Sequence, residues 1–106
     1  MVEVKVEAGI CGFVTEVKAF LEDEQNVGLK VTSNCEKISK LANRIVTLDA
    51  YNEIKEGFNG ELYKVIREEL TGCCSGCAVP VGLFKSMQVA ANLALPKDIN
   101  IKITKK

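Results

Sequence analysis

Three of the chain's five cysteines, Cys73, Cys74 and Cys77, crowd into the stretch TGCCSGCAVP (71–80), while Cys11 and Cys35 stand alone. Thiolates at that density do one of three things: they ligate a metal or an iron–sulfur cluster, they exchange electrons with disulfides, or they pack as small apolar residues. Cys74-Ser-Gly-Cys77 is a C-x-x-C pair, which by itself serves as half of a zinc site, half of a cluster site or a redox pair. Histidine is absent. Its absence removes the commonest general base and the commonest nitrogen ligand, and with them Ser-His, Cys-His and mixed His/Cys designs.

Composition narrows the field further. With 106 residues, 47% of them apolar, the chain is expected to form one domain over residues 1–106. Fourteen basic residues balance fourteen acidic ones, so no net charge draws the protein to nucleic acid or an anionic membrane. Met1 to Ala8 alternates charged and apolar residues, unlike a secretory leader, and no apolar run nears the roughly 20 residues that span a bilayer. A cytoplasmic location is the expectation. There, an odd number of cysteines favours metal binding or thiol chemistry over a disulfide framework.

The elements that must position these thiols follow from periodicity. Val2, Val4, Val6 and Ala8 alternate with Glu3, Lys5 and Glu7, which predicts a half-buried strand. After the glycine-flanked turn Gly9-Ile10-Cys11-Gly12, residues 13–22 alternate again, with Val14 and Phe20 on the outer face needing cover. A polar turn at 23–26 leads to a third strand through Val27, Leu29 and Val31. Ser33 and Glu36 then form a capping-box pattern, and Ile38, Leu41, Ala42, Ile45 and Leu48 follow at helical spacing. That helix is expected to run to about Glu56, with a possible break near Asp49. A second helix is predicted from Glu61 through Leu62, Val65, Ile66 and Leu70, and a third from Val79, with Leu83, Phe84, Met87, Ala90, Ala91 and Ala94 inward. Ile99, Ile101 and Ile103 predict a closing strand. The expected fold is α+β, in the order β-β-β-α-α-α-β, with helices on one face of an antiparallel sheet.

Chain direction then places the cysteines. If the first strand runs up, Cys11 lies at the top, and the end of the third strand puts Cys35 there too. A descending and a climbing helix return the chain to the same end at Cys73, Cys74 and Cys77. Cys35, in the first turn of its helix, and Cys77, at the start of the last, would meet unpaired N–H groups that favour a thiolate, by roughly 0.3–1 kcal/mol each. The expected ligand set is Cys11, Cys35, Cys74 and Cys77, with Cys73 as a spare. Four thiolates suit zinc or an iron–sulfur cluster, and scattered single ligands plus one close pair lean toward the cluster.

On this layout the chain resembles iron–sulfur scaffold proteins of the NifU type: a strand meander, a Cys-Gly in the first turn (Cys11-Gly12), a cysteine opening the helix after the third strand (Cys35), and another opening the last helix. The resemblance, which reaches to about Leu95, implies a NifU-like fold in which Cys11, Cys35 and one of Cys73, Cys74 or Cys77 are ligands. Phe13 stands where that family has aspartate, and Cys73-Cys74 where it has His-Cys. An aspartate there assists cluster release, so Phe13 implies a more firmly held centre. Over the whole chain, AGICGF (8–13), Ser33-Asn34-Cys35-Glu36, CAVP (77–80) and ALPKDINI (94–101) resemble an uncharacterised family of short archaeal proteins, which implies no known activity.

Other polar groups suggest plainer roles. Lys30, Lys37, Lys40 and Arg44 form a face diluted by Glu36 and read as solvated helix surface. Asp49, Glu53 and Glu56 have no evident partner set and also read as solvated. Phe84 and Met87 read as core, and Tyr51 and Tyr63 as packing residues with a wet hydroxyl. The expectation is a small iron–sulfur or metal-binding protein, a carrier, scaffold or electron-transfer protein rather than an enzyme, acting as monomer or homodimer on a protein acceptor. The alternatives are a thiol-disulfide or sulfur-transfer enzyme using Cys74, Cys77 and Cys35, and a partner-binding module with incidental cysteines.

Overall fold

A computed structural model describes residues 1–106. Alternating sequence becomes strand where a neighbour is available to pair: β1 (Val2–Glu7), β2 (Val14–Leu21) and β3 (Asn26–Ser33) form an antiparallel meander. Registers Glu7↔Val14 and Thr15↔Ser33 bring the end of β1, the start of β2 and the end of β3 to one edge, called here the upper end. Thr15, Val17 and Ala19 are buried on the inner face, while Glu16, Lys18 and Phe20 look outward. The cover that Phe20 needs comes from β3: its ring lies over Gly28, where an added Cβ would stand 2.5 Å from it.

The long helix expected after Ser33 is divided. Its first part, Glu36–Ala42, is helical (α1), Thr47–Asp49 forms a short strand, β4, antiparallel to β3, and the helix resumes only at Ala50. The reason lies in Leu48 and in hydrogen bonding. A turn closing with Arg44 N–H on the Leu41 carbonyl ends the helix, and the Leu29 N–H then donates to the Val46 carbonyl at 2.8 Å. Leu48 enters the core from a strand instead of from a helix face. Asp49 caps the next helix, α2 (Ala50–Glu56), by accepting the Asn52 N–H at 3.1 Å. A 3-10 turn at Gly57–Asn59 leads into α3 (Glu61–Glu69), a second at Gly72–Gly76 carries the clustered cysteines, and α4 (Val79–Ala90) follows.

The sheet order is β1-β2-β3-β4, and α4 packs across β1 and β2 while α1 covers β3, so the fold is α+β with helices on one sheet face. The closing strand does not form. Residues beyond Ala91 have no regular structure, and Ile99, Ile101 and Ile103 are exposed. β4 occupies the edge beside β3, and α4 ends in a Schellman motif. Asn92 adopts φ 62°, its N–H donates to the Val89 carbonyl at 3.1 Å, and the Leu93 N–H donates to the Gln88 carbonyl at 2.8 Å. The chain leaves the domain there.

Two features lock this arrangement. Glu53, read from sequence as solvated, is only 1% exposed. Its carboxylate accepts the backbone N–H groups of Glu61, at 3.0 Å, and Leu62, capping α3, which Gly60 cannot cap with a side chain of its own. Gly82 lets α4 press onto the sheet: a Cβ at that position would stand 2.7 Å from Cγ2 of Val6 and 3.5 Å from Cγ1 of Val4.

Two substitutions test these contacts by denaturant unfolding. Glu53→Ala strips two backbone donors of their acceptor and should cost at least about 2 kcal/mol, whereas Glu56→Ala, on the exposed face, should stay within about 0.5 kcal/mol. Gly82→Ala gains up to about 1 kcal/mol in helix propensity but forces β1 and α4 apart at a typical cost of about 1–3 kcal/mol, so the unfolding midpoint should fall.

Candidate thiolate centre

All five cysteines are free thiols, and the fold brings the segments that carry them to the upper end. Cys11 is exposed in the β1–β2 turn, closed by the Gly12 N–H on the Gly9 carbonyl at 2.9 Å and the Ala8 N–H on the Phe13 carbonyl at 3.0 Å. Gly9 and Gly12 have φ of 89° and 74°, a conformation that strains any residue with a Cβ, which is why glycine brackets this cysteine.

Cys35 is half-buried against the core and is itself the residue that starts α1, with extended backbone (φ −87°, ψ 123°). Ser33, expected as the helix cap, lies two residues before that position. Its hydroxyl oxygen accepts the Cys35 N–H at 3.1 Å and the Thr15 hydroxyl at 2.8 Å, an i to i+2 turn that holds Cys35 in place. Asn34 ties this corner to the Cys11 hairpin, since its side-chain oxygen accepts the Val14 N–H at 3.1 Å.

The clustered cysteines reach the same end by two routes. The Lys37 ammonium, in the first turn of α1, donates to the Thr71 carbonyl at 3.4 Å, and Gly82 on α4 lies over the upper part of β1. Within the turn, the Cys77 N–H donates to the Cys74 carbonyl at 3.1 Å, so the C-x-x-C pair is wound in a single 3-10 turn. Cys77 Sγ accepts the Val79 N–H at 3.4 Å, putting that sulfur at the N-terminus of a 12-residue helix. Cys74 and Cys77 are half-buried against the core that also holds Cys35, while Cys73 is exposed.

Two shells of thiols result: Cys35, Cys74 and Cys77 pack inward, and Cys11 and Cys73 face solvent. The expected four-residue set is not assembled as it stands. No three side chains of Cys, Asp or Glu gather in a group able to hold a metal ion. Convergence on one end of the domain is what the fold supplies, and soft thiolate donors are the chemistry it supplies there.

Two residues that no sequence motif marks tie the site together, Asn34 and Lys37. Lys37 is exposed with the rest of its basic face, and it also bonds to the residue that opens the cysteine-bearing turn. The sequence signal for Lys37 is its position two residues after Cys35, on the first turn of the predicted helix. Arg44, from the same face, forks onto Glu68 and Glu69 of α3. Its hydrogen bond holds the Glu68 carboxyl below its ordinary range, and both partners are too exposed for this to contribute much.

A groove of about 430 Å³ is lined by Ile54, Phe58, Tyr63, Val81 and Phe84 among others, with no cysteine in its lining. No helix is long and apolar enough to cross a membrane. No curated protein and no solved structure matches the chain significantly. One family does, over residues 2–103, nearly the full length of the domain just described, and the chain belongs to it: the family of unknown function DUF6951.

Proposed function

We propose that the chain binds an iron–sulfur cluster, or alternatively a zinc ion, through thiolates at the upper end of the domain, as a cytoplasmic carrier, scaffold or electron-transfer protein with a protein acceptor. What supports this reading is that the Cys11 turn, the start of α1 at Cys35 and the turn carrying Cys74 and Cys77 lie toward one end of a chain without histidine. The donor set fits soft-metal chemistry, and the group would supply charge storage or electron transfer. The likeness in cysteine order to NifU-type scaffolds supports the same reading.

The residues' own part is to hold and to complete the set. Cys35, Cys74 and Cys77 start from half-buried positions against one core, while Cys11 is carried on an exposed hairpin turn. Ligand assembly is therefore coupled to local ordering of the two turns, as is usual where a site is not preformed. The inward placement of Cys74 and the exposure of Cys73 favour Cys74 as the ligand of that pair.

Protein purified without oxygen should contain iron and acid-labile sulfide, with a charge-transfer absorption that Cys35→Ser and Cys74→Ser abolish and Cys73→Ser leaves in place. Colourless, iron-free protein after anaerobic reconstitution would sink the cluster form, and one equivalent of tightly held zinc would move the reading to a zinc site.

A second reading is favoured by one contact, the Val79 N–H on Cys77 Sγ at the head of α4. Cys74 and Cys77 would then pass two electrons and two protons to a disulfide of a partner, closing a bond between themselves as the partner's disulfide opens to two thiols. Fast, selective alkylation of Cys77 together with a defined reduction potential for the pair is its expected signature. Equal, slow alkylation of all five cysteines rules it out.

A further inference from the structure

The tail that the fold leaves outside itself has the pattern of a strand and no partner. Ile99, Ile101 and Ile103 alternate with Asn100, Lys102 and Thr104, yet Ile101 is 70% exposed and Ile103 92%. No backbone hydrogen bond involves a residue beyond Leu93. β1, on which α4 packs, is an edge strand with one unpaired row of N–H and C=O groups. It is six residues long, with Val2, Val4 and Val6 half-buried and Glu3, Lys5 and Glu7 exposed, and no proline, bulge or covering helix blunts its open edge.

We propose that residues 99–104 of one copy add as an antiparallel strand to the β1 edge of a second copy, and that two chains exchange tails to close a symmetric dimer. Charge chooses the direction. With Ile101 opposite Val4, antiparallel pairing sets Ile103 beside Val2, Ile99 beside Val6 and Lys102 opposite Glu3, with Lys5 facing the neutral Asn100; the added strand stops at Ile99, short of the like-charged Glu7 and Asp98. Opposite charges at directly facing positions stabilise a sheet and like charges destabilise it. The same three apolar pairs in a parallel arrangement, Val2 with Ile99 through Val6 with Ile103, set Lys102 beside Lys5.

Direction in turn chooses the occupant. α4 runs down β1: Gly82 near its start lies on Val6 and Val4, and Val89 and Ala90 at its end lie by Val2. A tail leaving the foot of α4 meets the foot of its own β1 first and runs parallel to it, the arrangement that opposes Lys102 to Lys5. A second copy, related by a twofold axis, presents β1 in the antiparallel sense, and each chain then gives and receives one strand. Residues 93–97 reach about 17 Å when extended, enough to carry the strand off its own domain.

The proposal does not depend on the thiolate reading, since no cysteine takes part in the exchange.

Sedimentation velocity on the full chain, kept reduced, should show a concentration-dependent dimer. Asn100→Pro, at an exposed position where the domain itself is untouched, removes the N–H that would face the open row of groups at Lys5 and should weaken the dimer at least about tenfold. Lys102→Glu should weaken it about threefold to fivefold, and Glu3→Lys combined with Lys102→Glu should restore it. A full chain that stays monomeric at millimolar concentration, a dimer that Asn100→Pro leaves unchanged, or a monomer with residues 99–103 protected from hydrogen exchange by pairing in its own chain would each overturn the proposal.

Discussion

The carboxylate of Glu53 holds the helical layer together. A buried charge is costly unless hydrogen-bonded groups replace the water it loses, and here the replacements are the first two free amides of α3. The bond fixes where α3 begins, and a helix of nine residues then fixes where it ends. Everything downstream inherits that position: Leu70 in the core, Thr71 within reach of Lys37, and the cysteine-rich turn at the upper end. Gly60 is part of the same device, because its missing Cβ would stand 3.1 Å from both Glu53 carboxylate oxygens.

The second organising contact is the close seat of α4 on β1 and β2. Leu83 and Met87 are fully buried there, and Gly82 allows the backbone to approach Val6. A helix lying antiparallel to β1 has its N-terminus at the upper end and its C-terminus at the lower. One element thus sets both ends of the molecule's chemistry: Cys77 at its head, and the departure of the isoleucine tail at its foot.

The meander and the last helix could be read in the amino acids because each carries its period over many residues. Val2 to Glu7 alternates without exception, and α4 starts at Val79 as its apolar spacing and Pro80 indicated. The segment 33–56 misled because Leu41, Ile45 and Leu48 satisfy a helical spacing while the backbone at 47–49 finds a better partner in β3. Periodicity states which side chains share a face and cannot say which backbone partner wins. The tail 99–103 misled in the opposite sense, since alternation was present and the partner was not. Of the site, the segments that carry the cysteines could be placed from chain direction alone. The hydroxyl of Ser33 on the Cys35 amide, the Lys37 bond and the burial of Glu53 could not, because each depends on a contact between residues whose spatial relation no local pattern encodes.

The hydrogen bonding of the upper end has a consequence for how the molecule breathes. Most of the backbone bonds, 38 of 54, lie inside helices and strands, whereas the Cys11 turn and the 72–77 turn are each closed by one or two short-range bonds and the exposed Lys37 to Thr71 contact. Segments held so lightly open on their own, at far lower free energy than global unfolding. Cys11, Cys73, Cys74 and Cys77 thus belong to segments that open more readily than the sheet and α4, while Cys35 stays held at the start of α1. Their accessibility is governed by local fluctuation rather than by the overall stability of the fold.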